Sequence, residues 1–415
     1  MEKSQDKFPL KIFICLLLIG GGGLYLLTNL QGLFFVSVSE HLGVSRSQFS
    51  LYYTIQCFAS MFTGFFAGSL LSKYKTRLRI LLTAVVIVQV LSFFLFSRAE
   101  SLVLFFVVAI FLGVANGFNL HVLVGILVNN WFDKKRGLIM GITMAMSSIM
   151  GAILSPSISV LIAENWRTGY LVISIGTLIT MLPVALIAKY SPEMDGRKPW
   201  GEGEEIPAAG GTAADTSGVP YAAALKSTAF YCCALVLFFA TGWSCFTNAL
   251  PGYVESIGYE AVVVGYCSSS YMVGGIIGKI VCGYLIDKLG ILKSLIIVSV
   301  LSIIGMLLLM LMAPGAFWAI IAGGVLFGLG MGILGVYPAI IVRTCFGNKD
   351  YSKIYSNVNT LMWVSSMVLI PVYNFIYDAT GSYVPGMWAA IGFLVLCFIC
   401  CSIAINSSKK LPRES

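Results

Sequence analysis

The sequence has little charge. Asp, Glu, Lys and Arg make up only 11% of its 415 residues, whereas 58% of the residues are hydrophobic and the mean hydropathy is +0.91. Soluble domains carry roughly 25% charged residues, because their surfaces must face water. A soluble protein is therefore excluded, and the composition predicts an all-α polytopic membrane protein.

Acidic side chains are absent from the middle of every long apolar run. A membrane site for an organic cation needs a buried carboxylate to replace the water around the ligand's charge. The sequence thus argues against a site for organic cations. It also shows no Walker motif and no clustered nucleophile and base, so we expect neither an ATP-driven pump nor an enzyme, and no catalytic residue.

Metal-binding patterns are also missing. The 11 cysteines lie mainly within apolar runs without any CxxC pair, and neither of the two histidines has neighbours typical of a metal site. Small buried packing residues are the better interpretation of these cysteines. We expect no metal and no cofactor.

The basic residues are unevenly placed. Nearly all of them fall in alternate gaps between apolar runs, including residues 73–79 and 409–413, whereas the other gaps hold only Arg46, Arg98 and Arg167. Because positively charged loops stay in the cytoplasm, we predict an even number of spans, with both termini on the cytoplasmic side of the cell membrane. This placement explains the net charge of +8. We therefore expect membrane lipid as a partner, and no nucleic acid.

Twelve apolar runs, each about 20 residues or longer, predict twelve transmembrane helices. They lie near residues 11–37, 48–72, 79–97, 101–131, 137–163, 168–188, 227–253, 262–286, 294–313, 315–342, 354–377 and 384–406. The sequence therefore predicts two pseudo-symmetric six-helix bundles, residues 1–189 and 227–415, the second including a short cytoplasmic tail. Residues 190–226 between them, rich in Gly, Pro, Ala and acid, predict a flexible cytoplasmic linker.

An internal repeat follows the second and the eighth apolar run. Gly68 begins the segment GSLLSKYKTR and Gly283 begins GYLIDKLGILK, and each glycine is followed five residues later by a base, Lys73 or Lys288. Here the chain resembles the major facilitator superfamily, which has a GxxxDRxGRR-like loop in both places. The second copy fits well, whereas Ser72 replaces the acid of the first.

The superfamily resemblance implies the major facilitator fold and alternating access of the rocker-switch kind, around a midplane site between the two halves. It implies that Asp287 is a gating residue, acting with Lys288, Gly283 and Lys73. Because the first copy lacks the acid, we do not expect an equivalent gating residue in each half.

Three further segments narrow the resemblance. The sequence NNWFDKKRG at residues 129–137, together with LGVS at 42–45 and NWR at 165–167, is similar to the oxalate/formate antiporter and monocarboxylate transporter branch. That branch implies a secondary transporter of small organic anions that works as a monomer.

Lys279 is the charged residue that the apolar runs leave inside the membrane. It precedes Asp287 by eight residues, about 12 Å along a helix in an apolar layer roughly 30 Å thick. Ionisable residues at such depth are functional candidates, and a buried cation without a buried anion is complementary to a carboxylate. The alternative is a lysine whose long stem reaches the interface. Gly275 and Gly283 share its helical face, and Gly324, Gly328 and Gly332 form a similar stripe that permits close helix packing.

His121 is a second titratable residue at similar depth. It precedes Trp131 by ten residues, about 15 Å along a helix. Two interpretations are open: a hydrogen bond between helices, or a cavity residue that binds substrate or carries a proton.

The branch resemblance implies roles for further residues. Lys279 occupies the position of the arginine that anchors the substrate carboxylate, and His121 that of a cavity tyrosine. Asn29 and Asn359 replace aromatic residues of the oxalate site, and Met362 replaces a second cationic lysine. One charge fewer argues against oxalate and favours a monocarboxylate. Tyr25 and Tyr271 are additional candidates to contact substrate.

Two other functions remain open at this point. The first is proton-linked efflux of amphipathic compounds, which would not depend on Lys279. The second is a ligand sensor that does not transport. Proton symport and anion exchange both fit one lysine and one histidine.

Overall fold

The fold was obtained as a computed structural model that describes residues 8–119, 121–132, 136–200, 218–311, 315–347 and 350–411. The chain divides into two compact units, Met1–Pro207 and Ala208–Ser415. The described residues are almost wholly helical, and each unit contributes six helical segments long and apolar enough to cross a membrane. The predictions of twelve spans and of an all-α membrane fold are confirmed.

In the first unit, two of the described helices begin at side-chain caps. Ser45 accepts a hydrogen bond from the Gln48 amide, whose own side chain closes a capping box, and Asn165 caps the last helix of the unit. The helices are α1 (Phe8–Leu18), α2 (Gln31–Leu42), α3 (Arg46–Lys73), α4 (Leu78–Ser97), α5 (Leu102–Asn119), α6 (His121–Trp131), α7 (Arg136–Glu164) and α8 (Trp166–Ile187).

In the second unit, a side-chain cap and a glycine also mark helix ends. Ser227 caps the first long helix of the unit, and Gly381 ends a later one in the left-handed region at φ 68°. The helices are α9 (Tyr221–Leu225), α10 (Thr228–Cys245), α11 (Leu250–Ser256), α12 (Ala261–Leu289), α13 (Ile291–Leu311), α14 (Phe317–Leu329), α15 (Met331–Phe346), α16 (Tyr351–Thr380) and α17 (Val384–Ser408).

A 3-10 turn at Phe246–Asn248 interrupts one predicted apolar run, between α10 and α11. Two further runs are interrupted as well. Between α1 and α2 the backbone forms a π-helix over Ile19–Asn29, which contains the four consecutive glycines Gly20 to Gly23. Between α14 and α15 a tight turn at Gly330 breaks the helix, with the Gly330 amide bonded to the Phe327 carbonyl. Hydropathy did not reveal either of these two interruptions, because every residue involved is compatible with an apolar helix.

The predicted linker, residues 190–226, has packed ends. The Trp200 amide donates to the Trp131 carbonyl in the first unit, and the Val219 amide donates to the Phe346 carbonyl in the second. Helix α9 also falls inside the predicted range. Residues 201–217 lie outside the described residues, so the flexibility predicted for them stays a prediction.

Candidate functional site

Lys279 lies within the single continuous helix α12, about 2.8 turns before its C-terminal end at Leu289. Its side chain is half-buried. Among the described residues, the ammonium has no hydrogen-bond or ion-pair partner. Ile277, Ile280 and Tyr284 form an exposed apolar stripe on α12. Lys279 is therefore an unpaired cation turned away from the exposed apolar stripe.

Helix α12 packs against α14 and α15 with backbone touching backbone. A Cβ placed on Gly274 would overlap the Val325 carbonyl oxygen, and one on Gly278 would overlap the Leu329 carbonyl oxygen. From the other side, a Cβ on Gly328 would overlap the Tyr271 carbonyl oxygen. Glycine is needed at each position because no side chain fits between the helices. These contacts fix α12 against α14, and Gly332, whose Cβ would overlap the Gly278 carbonyl, fixes it against α15.

The lysine stem lies along α15. A Cβ built on Gly335 would be 3.4 Å from Lys279 Cγ, 3.5 Å from Cε and 3.8 Å from Cδ. One turn away, Gly275 faces Met331, whose sulfur would be 3.5 Å from a Cβ at that position. The predicted face of Gly275 and Lys279 thus borders α15. On the same face, Gly283 is open, with nothing within 4 Å of a Cβ.

Tyr25 and Asn29, both predicted to contact substrate, lie in the π-helix and differ in exposure. Tyr25 is fully buried, and its hydroxyl is 3.0 Å from the Ser155 Oγ of α7. Asn29 is exposed, and its Oδ1 accepts a hydrogen bond from the Thr28 hydroxyl. The structure therefore gives Tyr25 a role in packing α7 against the first span and leaves Asn29 accessible.

We expect Tyr25→Phe to lower stability modestly. Loss of one buried hydrogen bond costs about 1 kcal/mol, or roughly 2 to 4 °C in the thermal midpoint. A double-mutant cycle of Tyr25→Phe with Ser155→Ala, followed by thermal unfolding in detergent, should show coupling between the two changes. Strictly additive effects would contradict a bond between these hydroxyls.

The other predicted contact residues are scattered. Tyr271 is buried, with its ring 6.3 Å from the Phe327 ring, so it packs between α12 and α14. Asn359 is half-buried in α16. His121 begins α6, but its side chain lies outside the described part of the structure. Both interpretations of this histidine stay open.

Three of the predicted gating residues are exposed at helix ends, whereas Gly283 lies inside α12. Asp287 and Lys288 are exposed in the last turn of α12, where the Lys288 ammonium lies 4.6 Å from the centre of the Tyr284 ring. Lys73 ends α3 and lies 5.8 Å from the centre of the Tyr74 ring. These are surface cation–π contacts of about 0.5–1 kcal/mol. Such weak contacts leave the side chains available for other partners.

Sequence reasoning missed two features near the lysine. One is Gly335 itself. The other is a buried hydrogen bond of 2.9 Å from the Tyr337 hydroxyl to Ser294 Oγ, which ties α15 to α13. Neither had a recognisable signal, since one glycine or tyrosine in an apolar run has no distinguishing pattern. Groups of three or more potential metal ligands are absent from the described residues.

Two six-span helical units with a cation inside one span define a polytopic membrane protein of the secondary-transporter class. The profile of the Major Facilitator Superfamily matches residues 17–267 and 232–414. The chain belongs to this superfamily, which is a family of transporters and not of enzymes. The predicted superfamily is thereby confirmed.

The chain is similar to several known transporters. A probable sulfoacetate transporter, SauU, of Cupriavidus necator is 24% identical over 310 residues, which are 68% of each chain. Glucose transporter 2C of Trypanosoma brucei brucei is 31% identical over 128 residues, or 31% of this chain. This chain spans only 38% of that relative and 24% of glucose transporter 2A of the same organism.

Among solved structures, the fold is similar to that of a bacterial homologue of the human lysosomal transporter Spinster, in an inward-facing and unoccupied conformation. The TM-score is 0.67 at 12% identity, over 98% of both chains. At this identity the likeness shows the fold alone. These relatives do not establish the oxalate/formate and monocarboxylate branch, which stays a prediction.

Proposed function

We propose that this chain moves a small organic anion, specifically a monocarboxylate, across the cell membrane by rocker-switch alternating access. The observation that carries the proposal is the half-buried Lys279, which has no ion-pair partner among the described residues. The spans also contain no mid-span acid to pair with it. An uncompensated charge inside a membrane protein costs several kcal/mol, and a bound carboxylate removes that cost.

The same charge balance supplies a mechanism. With the site empty, the membrane contains either a lone ammonium or a lysine that has lost its proton. A carboxylate binds the ammonium, and the neutral pair is enclosed between the two access states at lower cost than either ion alone. Transport by proton symport or by anion exchange follows from this cycle. His121 contacts the substrate or relays the proton, and Asp287 with Lys288 controls the cytoplasmic gate.

The relatives support an anion over a sugar. The sulfoacetate transporter matches 68% of this chain, and sulfoacetate is an organic anion. The match to the glucose transporter covers 31% of the chain. The segments at residues 129–137, 42–45 and 165–167 also resemble the oxalate/formate and monocarboxylate branch. A single lysine can neutralise one carboxylate, so it favours a monocarboxylate substrate over a dicarboxylate.

Uptake into proteoliposomes tests this function. We expect labelled monocarboxylates such as lactate to enter, while lactamide, which has the same shape without the charge, and glucose do not. Acceleration by an inward proton gradient would identify symport, and acceleration by unlabelled lactate inside would identify exchange. If no carboxylate enters and amphipathic neutral compounds move instead, the proposal is wrong and proton-linked efflux replaces it.

A further inference from the structure

Gly335 lies where the lysine stem crosses α15. Three successive carbons of Lys279, Cγ, Cδ and Cε, come within 3.4 to 3.8 Å of the position that a Cβ at residue 335 would occupy. Gly335 is itself exposed. A Cβ at residue 335 would therefore be in ordinary van der Waals contact with the stem, and a larger side chain there would compete with the stem for the same space.

The lysine has little freedom to avoid such a side chain by moving its helix. The contacts of Gly274 and Gly278 with the carbonyls of Val325 and Leu329 fix α12 against α14, and the contact of Gly332 with Gly278 fixes it against α15. On the far side of α15, Tyr337 bonds to Ser294 and so holds α15 against α13. Because the helices are fixed, a larger residue at 335 must displace the stem rather than the backbone.

We infer that Gly335 is a positioning residue for the carboxylate site: its bare backbone holds the stem of Lys279 flat against α15 and so fixes where the ammonium meets the substrate. This inference rests on the proposed function and adds the residue that sets the geometry of its anchor. A lysine presents a point charge without the fork of an arginine, so its position is set by its packing. Gly335 is one contact in that packing.

The inference predicts a specific kinetic pattern. Gly335→Val is expected to raise the KM for the transported carboxylate about tenfold with kcat within about twofold, because the displaced ammonium binds substrate less well both before and during transport. Gly335→Ala adds only the Cβ at 3.4 Å, so we expect its KM to rise no more than about threefold. Gly392→Val in α17 is the matched control, since a Cβ there meets nothing within 4 Å.

A chemical version of the experiment changes the site after folding. All 11 native cysteines are buried, so Gly335→Cys introduces an exposed thiol. Methyl methanethiosulfonate adds one S–CH3 group through a mixed disulfide, with methanesulfinate as leaving group. We expect this modification to raise KM, substrate to slow it, and dithiothreitol to reverse it. The same reagent on Gly392→Cys should leave KM unchanged.

The failures of the two ideas are distinguishable. If Lys279→Gln transports as well as wild type, the proposed function fails. If Lys279→Gln is inactive while Gly335→Val and the modified Gly335→Cys protein keep the wild-type KM, the function stands and the positioning role of Gly335 is wrong. A fall in kcat at constant KM would likewise overturn it.

Discussion

Replacing Lys279 by glutamine is expected to lower kcat/KM for carboxylate uptake at least about a hundredfold, because removing one partner of a buried charge pair costs roughly 3 kcal/mol or more. Glutamine keeps nearly the same length and some hydrogen-bonding capacity, so the loss of transport activity measures the contribution of the charge. The measurement is initial-rate uptake of labelled monocarboxylate into proteoliposomes, with the amount of inserted protein determined for each variant.

Two controls isolate the position of that charge. Lys293→Gln removes an exposed positive charge from α13 in the same unit, and we expect uptake near the wild-type rate. Lys279→Arg keeps the charge and should retain part of the activity, although its wider guanidinium does not fit the same packing. Uptake by Lys279→Gln equal to that by wild type would remove the basis for an anion site.

The second large effect concerns stability. Gly278→Val is expected to destabilise the second unit by about 3 kcal/mol or more, because its Cβ would overlap the Leu329 carbonyl and lie within 2.9 Å of the neighbouring backbone atoms. Backbone cannot move aside as a flexible side chain can. The thermal midpoint of the purified protein should fall by roughly 6 to 12 °C, and the yield of monodisperse protein should fall with it.

Gly283→Val on the same helix provides the comparison. A Cβ at residue 283 meets nothing within 4 Å, so the added side chain has space and stability should change by less than about 0.5 kcal/mol. Both variants replace a helical glycine by the same β-branched residue. If the two variants unfold at the same temperature, the close contact between α12 and α14 does not determine stability.

The spans could be predicted from the sequence because hydropathy is summed over neighbouring residues. Each run of about 20 apolar residues predicts a helix whatever it packs against, and the twelve runs coincide with the twelve helical segments. The glycine stripe of Gly324, Gly328 and Gly332 also predicted close packing, which the contacts of Gly328 with Tyr271 display. These features depend on residues close together in the chain.

The site was only partly predictable. The depth of Lys279 follows from counting residues to Asp287. The contact between Lys279 and Gly335, which are 56 residues apart in sequence, depends instead on how α12 and α15 are rotated about their axes. The different exposure of Tyr25 and Asn29 depends on the π-helix, whose turn differs from the α-helical period used to assign faces. Contacts set by interhelical rotation have no local sequence pattern.

The π-helix Ile19–Asn29 also affects how this chain is compared with its relatives. A π turn holds more residues than an α turn. The helical face of a residue after the π-helix therefore cannot be deduced by counting α-helical turns from a residue before it. A relative whose first span is α-helical throughout would cover the same distance with fewer residues. We therefore expect an alignment gap near the glycines Gly20 to Gly23, and the gap, rather than any single residue, would distinguish chains that share this turn geometry.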